Sequence, residues 1–236
     1  MLEPRAVPGE DPVLLITGAS SGIGAATARH AVAEGWRVVL AARSQDKIDA
    51  LAGELGAELA SAVVCDVTDF AAQEAAVAHA LERFGRLDAF FANAGFGGPR
   101  GFTKGDVEDM RAMVETNVLG CVYSIRAALG HFYAADAGHV VLTGSVAGRR
   151  ALPGSLYSAT KWAVTGMGEG LRAEVAETPI RTTLIEPGMV DTPFFDNRPD
   201  VALEADDIAR AVLYALSQPA HVDVNEILVR PVNQPS

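Results

Sequence analysis

Short apolar runs alternate with longer Ala-rich stretches of helical period along nearly all of this 236-residue chain. Repeated in that way, strand and helix can bury their apolar faces only as strand–helix units winding a parallel sheet. The runs predict strands at Val13 to Ile16, Arg37 to Ala41, Ala62 to Val64, Leu87 to Phe91, His139 to Thr143, Arg181 to Ile185 and Glu226 to Arg230. Helices are expected over Ile23 to Glu34, Asp46 to Leu55, Phe70 to Phe84, Val107 to Ala134, Ser155 to Glu177 and Ala205 to Ser217. Gly35 and Gly85 stand where helix C-termini need a left-handed residue, and Asp69 is placed to cap the third helix. The strands carry few charges and many Val, Leu and Ile, as a sheet covered by helices on both faces requires.

The fold expected is therefore α/β: one Rossmann-like, doubly wound sheet of seven mostly parallel strands flanked by helices. It occupies residues 13–236 behind a flexible tail, 1–12, and the length suits one core. Ligands of such folds bind beyond the carboxyl ends of the strands, and the chemistry-bearing motifs fall at those ends.

The first is Thr17-Gly-Ala-Ser-Ser-Gly-Ile-Gly24, between the first strand and the first helix. Gly18, Gly22 and Gly24 would let the backbone approach a pyrophosphate where a helix N-terminus supplies partial positive charge. The plainer reading is a tight turn without a ligand. Phosphoryl transfer has no support, because the turn lacks the Lys-Ser or Lys-Thr ending of a P-loop. The second motif is Tyr157 with Lys161 four residues on, preceded twelve residues earlier by Ser145. On a helix, positions i and i+4 share a face, so the ammonium is expected to favour the phenolate and draw the tyrosine pKa down from about 10. A Tyr-x-x-x-Lys pair is common by chance, and a strand-end serine is most often a turn residue; only their combination points to acid–base chemistry.

Composition narrows the partners. A formal net charge of −11 argues against nucleic acid or an anionic membrane surface. The two cysteines, Cys65 and Cys121, read as buried apolar residues of a reducing compartment, and the five histidines show no metal-ligand spacing. No metal is expected. The absence of a secretory progression at Met1 to Pro12 and of a membrane-spanning run predicts a soluble, cytoplasmic protein.

Taken in order, the glycine-rich turn, Asn93-Ala94-Gly95, Asn117, Ser145, Tyr157, Lys161 and Pro187-Gly188 resemble the classical short-chain dehydrogenase/reductase family from about Val13 to Pro231. The resemblance implies an NADP-dependent oxidoreductase interconverting a carbonyl and an alcohol by hydride transfer. Tyr157 would be its general acid/base, Lys161 would lower the tyrosine pKa and contact the nicotinamide ribose, Ser145 would bind the substrate oxygen, and Asn117 would hold a water in the proton relay. Gly18, Ser20, Ser21, Gly22, Ile23 and Gly24 would cradle the cofactor. Asp66 with Val67 would bind adenine, Asn93, Ala94 and Gly95 would line the adenosine ribose, and Pro187, Gly188, Val190 and Thr192 would wrap the nicotinamide. Ala92 replaces an asparagine that the family often carries. Where NAD enzymes of the family place an acid, this chain has Ala42 and then Arg43; a guanidinium can bind a 2′-phosphate, so NADP is expected over NAD.

The C-terminal stretch resembles bacterial reductases and dehydrogenases of 3-hydroxy acids, aldehydes and small alcohols. A homodimer or homotetramer is expected through the helices holding Asn117 and Tyr157, the second of which carries a stripe of Ala159, Ala163, Gly166 and Gly170. Arg149 and Arg150 read as a solvated loop pair or a greeting for a substrate carboxylate. The segment Pro193 to Glu204 is short for a lid and predicts an open pocket, with Phe96 and Phe102 as the alternative wall. The alternatives in function are a non-catalytic NADP-binding sensor or regulator on the same fold, and an epimerase or dehydratase.

Overall fold

A computed structural model describes residues 11–195 and 200–234; of the expected tail, residues 1–10 lie outside the described residues. Seven strands form one sheet: β1 (Val13–Thr17), β2 (Arg37–Ala42), β3 (Ala60–Val64), β4 (Ala89–Ala92), β5 (Gly138–Thr143), β6 (Ile180–Pro187) and β9 (Glu226–Val229). Their order is β3-β2-β1-β4-β5-β6-β9, and every pairing is parallel. A two-residue ladder not expected from the sequence, β7 (Val190–Asp191) with β8 (Leu203–Glu204), lies apart from the sheet.

Alternation along each strand divides the core in two. Val13 and Leu15 of β1 and Phe90 of β4 join one cluster with the helices α3 (Phe70–Phe84), α5 (Gly120–Ala135) and α6 (Leu156–Glu174). Leu14, Ile16 and Phe91 join the other, with α1 (Gly22–Ala33), α2 (Gln45–Leu55) and α7 (Ala205–Leu216). Each such fully buried side chain contributes about 1.5–3 kcal/mol from water exclusion. The doubly wound sheet is thus the packing solution for strands apolar on both faces.

The helix ends follow the local code. Asp69 accepts from Ala71 N at 2.9 Å, and Gly85 takes the left-handed conformation, φ 77°, after α3. The long helix expected over Val107 to Ala134 is instead α4 (Val107–Val114) and α5, joined by a π-helical turn at Glu115–Leu119 that contains the buried Asn117. An inserted π turn costs hydrogen-bond geometry and is found most often where function repays it. On α6, Ala159, Gly166 and Gly170 of the small-residue stripe are exposed beside Trp162, not packed on the chain's own sheet. No helix among the described residues is long and apolar enough to cross a membrane.

The chain winds outward from β1 to β3, then returns to β4 on the other side of β1. At such a reversal, beyond the carboxyl ends of the strands, doubly wound sheets place their ligand crevice.

Candidate active site

The crevice is built first from backbone. Leaving β1, Gly18 adopts φ +66°, and a Cβ there would meet Ala94 Cα at 2.9 Å; a Cβ on Gly24 would sit 2.4 Å from Gly18 O. The turn therefore closes only with glycine at these positions, leaving a side-chain-free surface at the start of α1. Its N-cap, Ser21, makes no side-chain capping bond, and Ser20, Ser21, Gly22 and Ile23 are all partly accessible.

Asn93 then welds this turn to the sheet. Its Nδ2 donates to Thr17 O (3.1 Å) and Gly18 O (3.4 Å), its main-chain N–H donates to Thr17 Oγ1 (3.0 Å), and its Oδ1 accepts from Thr143 Oγ1 (3.2 Å). The ends of β1, β4 and β5 are tied by one amide. Asp66 follows β3, accepting from Thr68 N and Oγ1 at 3.0 and 2.8 Å; burial opposes its charge, yet these bonds and the nearby Arg43 guanidinium hold the carboxyl below its ordinary value. Arg43 itself is exposed beyond the buried Ala42, and Val67 is buried against Gly120. Across the crevice Thr192 packs on Gly22, with 3.2 Å from its Cβ to a Cβ built there, while Gly188 N donates to Val229 O at 2.7 Å and Val190 is buried. The glycine turn, Asn93–Ala94 and Thr192 are thus brought together at the carboxyl end of the sheet.

Ser145, Tyr157 and Lys161 converge at the central end of the crevice. Ser145 leaves β5 and caps a 3-10 turn, Val146–Gly148, accepting from Ala147 N at 3.1 Å; its Oγ reaches Pro187 O at 3.5 Å and lies within hydrogen-bonding reach of the Tyr157 phenol. The gap between Ser145 and α6 is closed by Ser158 Oγ, which donates to Ala147 O at 2.7 Å, and α6 is capped by Ser155, accepting from Ser158 N at 3.1 Å. Lys161 is 5% exposed; its Nζ donates to Thr143 O at 2.7 Å and stands 5.7 Å from the centre of the Tyr157 ring. A Cβ on Gly95 would come within 3.1 Å of Asn117 Oδ1 and 3.7 Å of Lys161 Nζ, which puts all four side chains in one neighbourhood.

One expectation needs correction here. The ammonium does not pull the phenol toward neutrality: burial pushes Tyr157 up to about 12, only partly opposed by the Ser145 hydroxyl, and burial lowers Lys161 to about 8. Desolvation wins because the ammonium is aimed at a main-chain oxygen, not at the phenol. Asn117 is held through its side-chain amide. Its Nδ2 donates to Phe96 O (2.8 Å) and Thr160 Oγ1 (3.1 Å) while Oδ1 accepts from Phe96 N (3.0 Å), so the amide clamps the loop after β4 to the π turn.

Arg149 is exposed, as the solvated-loop reading has it, but its guanidinium is committed to acids of this chain rather than left free for a substrate carboxylate. Its Nε donates to both oxygens of Glu186 at 2.8 Å, and its guanidinium also pairs with Glu226 of β9. The short lid also behaves unexpectedly. Residues 196–199 lie outside the described residues, but Phe194 packs edge-on against the Tyr157 ring, centroids 5.3 Å apart, and a Cβ on Gly97 would strike its Cζ at 2.6 Å. Phe194 therefore sits in a notch that only glycine leaves open. Sequence reading missed Thr17, Thr143, Thr160 and Glu186; the one available signal was a charged residue closing the apolar run that ends at Glu186.

The buried lysine makes a stability prediction. The folded chain releases its proton near pH 8, below the ordinary 10.5, so the unfolded state binds more protons between those values and stability rises with pH across them. Below pH 8 the full cost is present. Lys161→Met is expected to resist urea better than wild type at pH 7, with the gap closing as pH rises from 8 toward 10.5. A pH-independent difference would contradict the burial cost.

Comparison with known proteins agrees with this geometry. The sequence model described as short chain dehydrogenase matches residues 12–201. An uncharacterized oxidoreductase of Staphylococcus haemolyticus is 46% identical over 225 residues, covering 93% of this chain and 97% of that protein. Among solved structures, an alcohol dehydrogenase from the archaeon Thermococcus sibiricus, complexed with 5-hydroxy-NADP, superposes with a TM-score of 0.89 at 33% identity, covering 96% of this chain and 99% of that one. The closed form of serine dehydrogenase complexed with NADP+ gives 0.88 at 32%, covering 95% and 96%; other solved relatives are complexed with NADH or NAD. With a seven-stranded parallel sheet, a glycine-lined crevice and these matches over nearly its full length, the chain is an oxidoreductase of the short-chain dehydrogenase/reductase family.

Proposed function

We propose that this protein is an NADP-dependent reductase of small carbonyl compounds, with the reverse oxidation of alcohols at the same site. The observation that carries the reading is the convergence of Ser145, Tyr157 and Lys161 where β5 and β6 end, beside a turn that closes only with glycine. The cradle suits a dinucleotide: Gly18, Gly22 and Gly24 keep side chains away from a pyrophosphate, and Thr192, Gly188 and Val190 border the far half of the crevice. When bound, the nicotinamide supplies hydride; the protein supplies orientation and protons.

Tyr157, held as a neutral phenol, is a proton donor at neutral pH. It would give that proton to the carbonyl oxygen while Ser145 Oγ donates to the same oxygen and stabilises the charge developing there. Lys161 places its positive charge 5.7 Å from the phenol ring, where it stabilises the phenolate left behind. Asn117 acts by position, keeping Phe96 and Gly95 against this cluster. For the other half of the cofactor, Arg43 is exposed at the end of β2, close enough to Asp66 to interact with its charge, and no acid occupies position 42 or 43. That supports NADP over NAD, as do the solved relatives that hold NADP. The exposed stripe on α6 supports a homodimer or homotetramer.

Substrate would approach from the side of Phe194. Next to it, a cavity of about 270 Å3 has an apolar side of Phe96, Phe102, Met110, Met113 and Leu156 that could take an apolar substituent, with Lys104, Asp106 and Asp109 also on its wall. Phe194 is the proposed wall opposing substrate on this side.

Three outcomes test the reading. Tyr157→Phe should abolish carbonyl reduction, a loss on the order of 10²-fold or more in kcat, while NADPH still binds; near wild-type kcat would end the mechanism. Arg43→Ala should cut the NADP over NAD ratio of kcat/KM by about tenfold, the scale of a charge-assisted bond. An unchanged ratio would remove Arg43 from the cofactor site. In a series of aldehydes of increasing bulk, Phe194→Ala should shift kcat/KM toward the larger members by roughly tenfold; an unshifted series would put the wall elsewhere.

A further inference from the structure

Glu186 stands at the end of β6 immediately before Pro187, and its side chain is fully buried. A carboxylate so placed is costly unless paired and hydrogen-bonded. Its partners come from two other segments. Arg149 Nε donates to both oxygens at 2.8 Å from the turn that begins at Ser145, and Thr165 Oγ1 donates to Oε1 at 3.2 Å from α6. Thr165 lies one helical turn after Lys161, and its single hydroxyl proton also has Lys161 O (3.1 Å) and Gly148 O (3.5 Å) within reach, serving one of these acceptors at a time. On the other side, Pro187 O accepts from Ser145 Oγ at 3.5 Å. Little slack exists around this knot: a Cβ on Gly144 would be 3.0 Å from Glu186 Cγ, and one on Gly148 would be 2.7 Å from Lys161 O.

We infer that Glu186, through Arg149 and Thr165, is a positioning residue that sets the register among the Ser145 turn, the Tyr157–Lys161 helix and the Pro187–Gly188 segment. Ser158 Oγ ties the Ser145 turn to α6 and Ser145 Oγ reaches Pro187 O, but Glu186, in the Pro187 segment, is the group on which side chains of both the turn and α6 converge, and each segment carries one part of the proposed chemistry. Stability alone does not call for such a group, since apolar residues of similar volume often serve a buried position as well or better. A charge chelated by Arg149 and fixed by Thr165 supplies what packing does not, which is direction. Glu226, the second acid on Arg149, anchors the link to the last strand of the sheet.

The kinetic consequence rests on the proposed dinucleotide site; the link itself rests on the contacts. Glu186→Gln keeps the volume and an acceptor for Thr165 but removes the charge. It should lower kcat and weaken NADPH binding by about tenfold or more each, as loss of a charged hydrogen bond implies. Affinity for 2′,5′-ADP, which carries only the adenosine half, should stay within about twofold, because that half lies on elements that do not touch the link. Amide exchange should quicken together in residues 145–150, 156–165 and 186–190 and not in β1 to β3. Thr165→Val should move the same readings in the same direction by less. A Glu186→Gln protein with a lower Tm but wild-type kcat, NADPH affinity and exchange would show a merely structural pair and overturn the inference. Should that variant fail to fold, unchanged kcat and exchange in Thr165→Val overturn it instead. A wild type that binds no dinucleotide refutes the functional reading, while the exchange pattern still decides the link.

Discussion

Lys161 carries an ammonium into a place where it is 5% exposed, and the site is arranged around that charge. Water no longer solvates it, so the protein must: Thr143 O accepts from Nζ at 2.7 Å, from the carboxyl end of β5. That bond needs β5 in register with β4, where Thr143 also reaches Asn93, and Asn93 in turn holds the glycine turn leaving β1. One buried charge therefore joins the proton-transfer side of the crevice to the cofactor side. Burial still wins over these partners, as the lowered affinity of Lys161 for its proton shows. The cost is the same feature that makes the residue useful, because an incompletely solvated cation interacts strongly with any negative charge formed near it.

The neutrality of Tyr157 follows from the same surroundings. Burial, with Phe194 packed edge-on against the ring, reduces the water around the still partly accessible Tyr157, which favours the protonated phenol. In the proposed reaction that phenol would be the proton donor, and the charge left on oxygen would find Lys161 and Ser145 beside it. Structure and chemistry meet at one requirement: the three groups must hold their spacing while being dry.

Much of this was legible in the sequence. Strand positions followed from apolar runs because a two-faced buried sheet leaves no polar alternation to mislead, and Asp69 and Gly85 marked the ends of α3 by backbone chemistry that is local. Gly18 and Gly24 were readable for the same reason, since no other residue fits their turn. What was hidden depends on partners far along the chain. The ion pairs of the exposed Arg149 were not legible because its partners, Glu186 and Glu226, are brought to it only by the sheet order. The π turn around Asn117 breaks a helix whose sequence period is uninterrupted, because tertiary contacts to Phe96 and Thr160 reward the irregularity. The phenol pKa came out with the wrong sign from spacing alone: i and i+4 place two side chains on one face but do not say where the ammonium points.

The central claim is that hydride from a nicotinamide and a proton relayed through Tyr157 reach the two ends of one carbonyl in this crevice. The most direct measurement is a single turnover of the full-length protein with NADPH deuterated at C4 of the nicotinamide and a simple aldehyde, followed by mass spectrometry of the alcohol. The account predicts one deuterium on the former carbonyl carbon from one of the two cofactor epimers, and none from the other. Alcohol formed without transferred deuterium from either epimer, or no alcohol with any carbonyl tried, would contradict it.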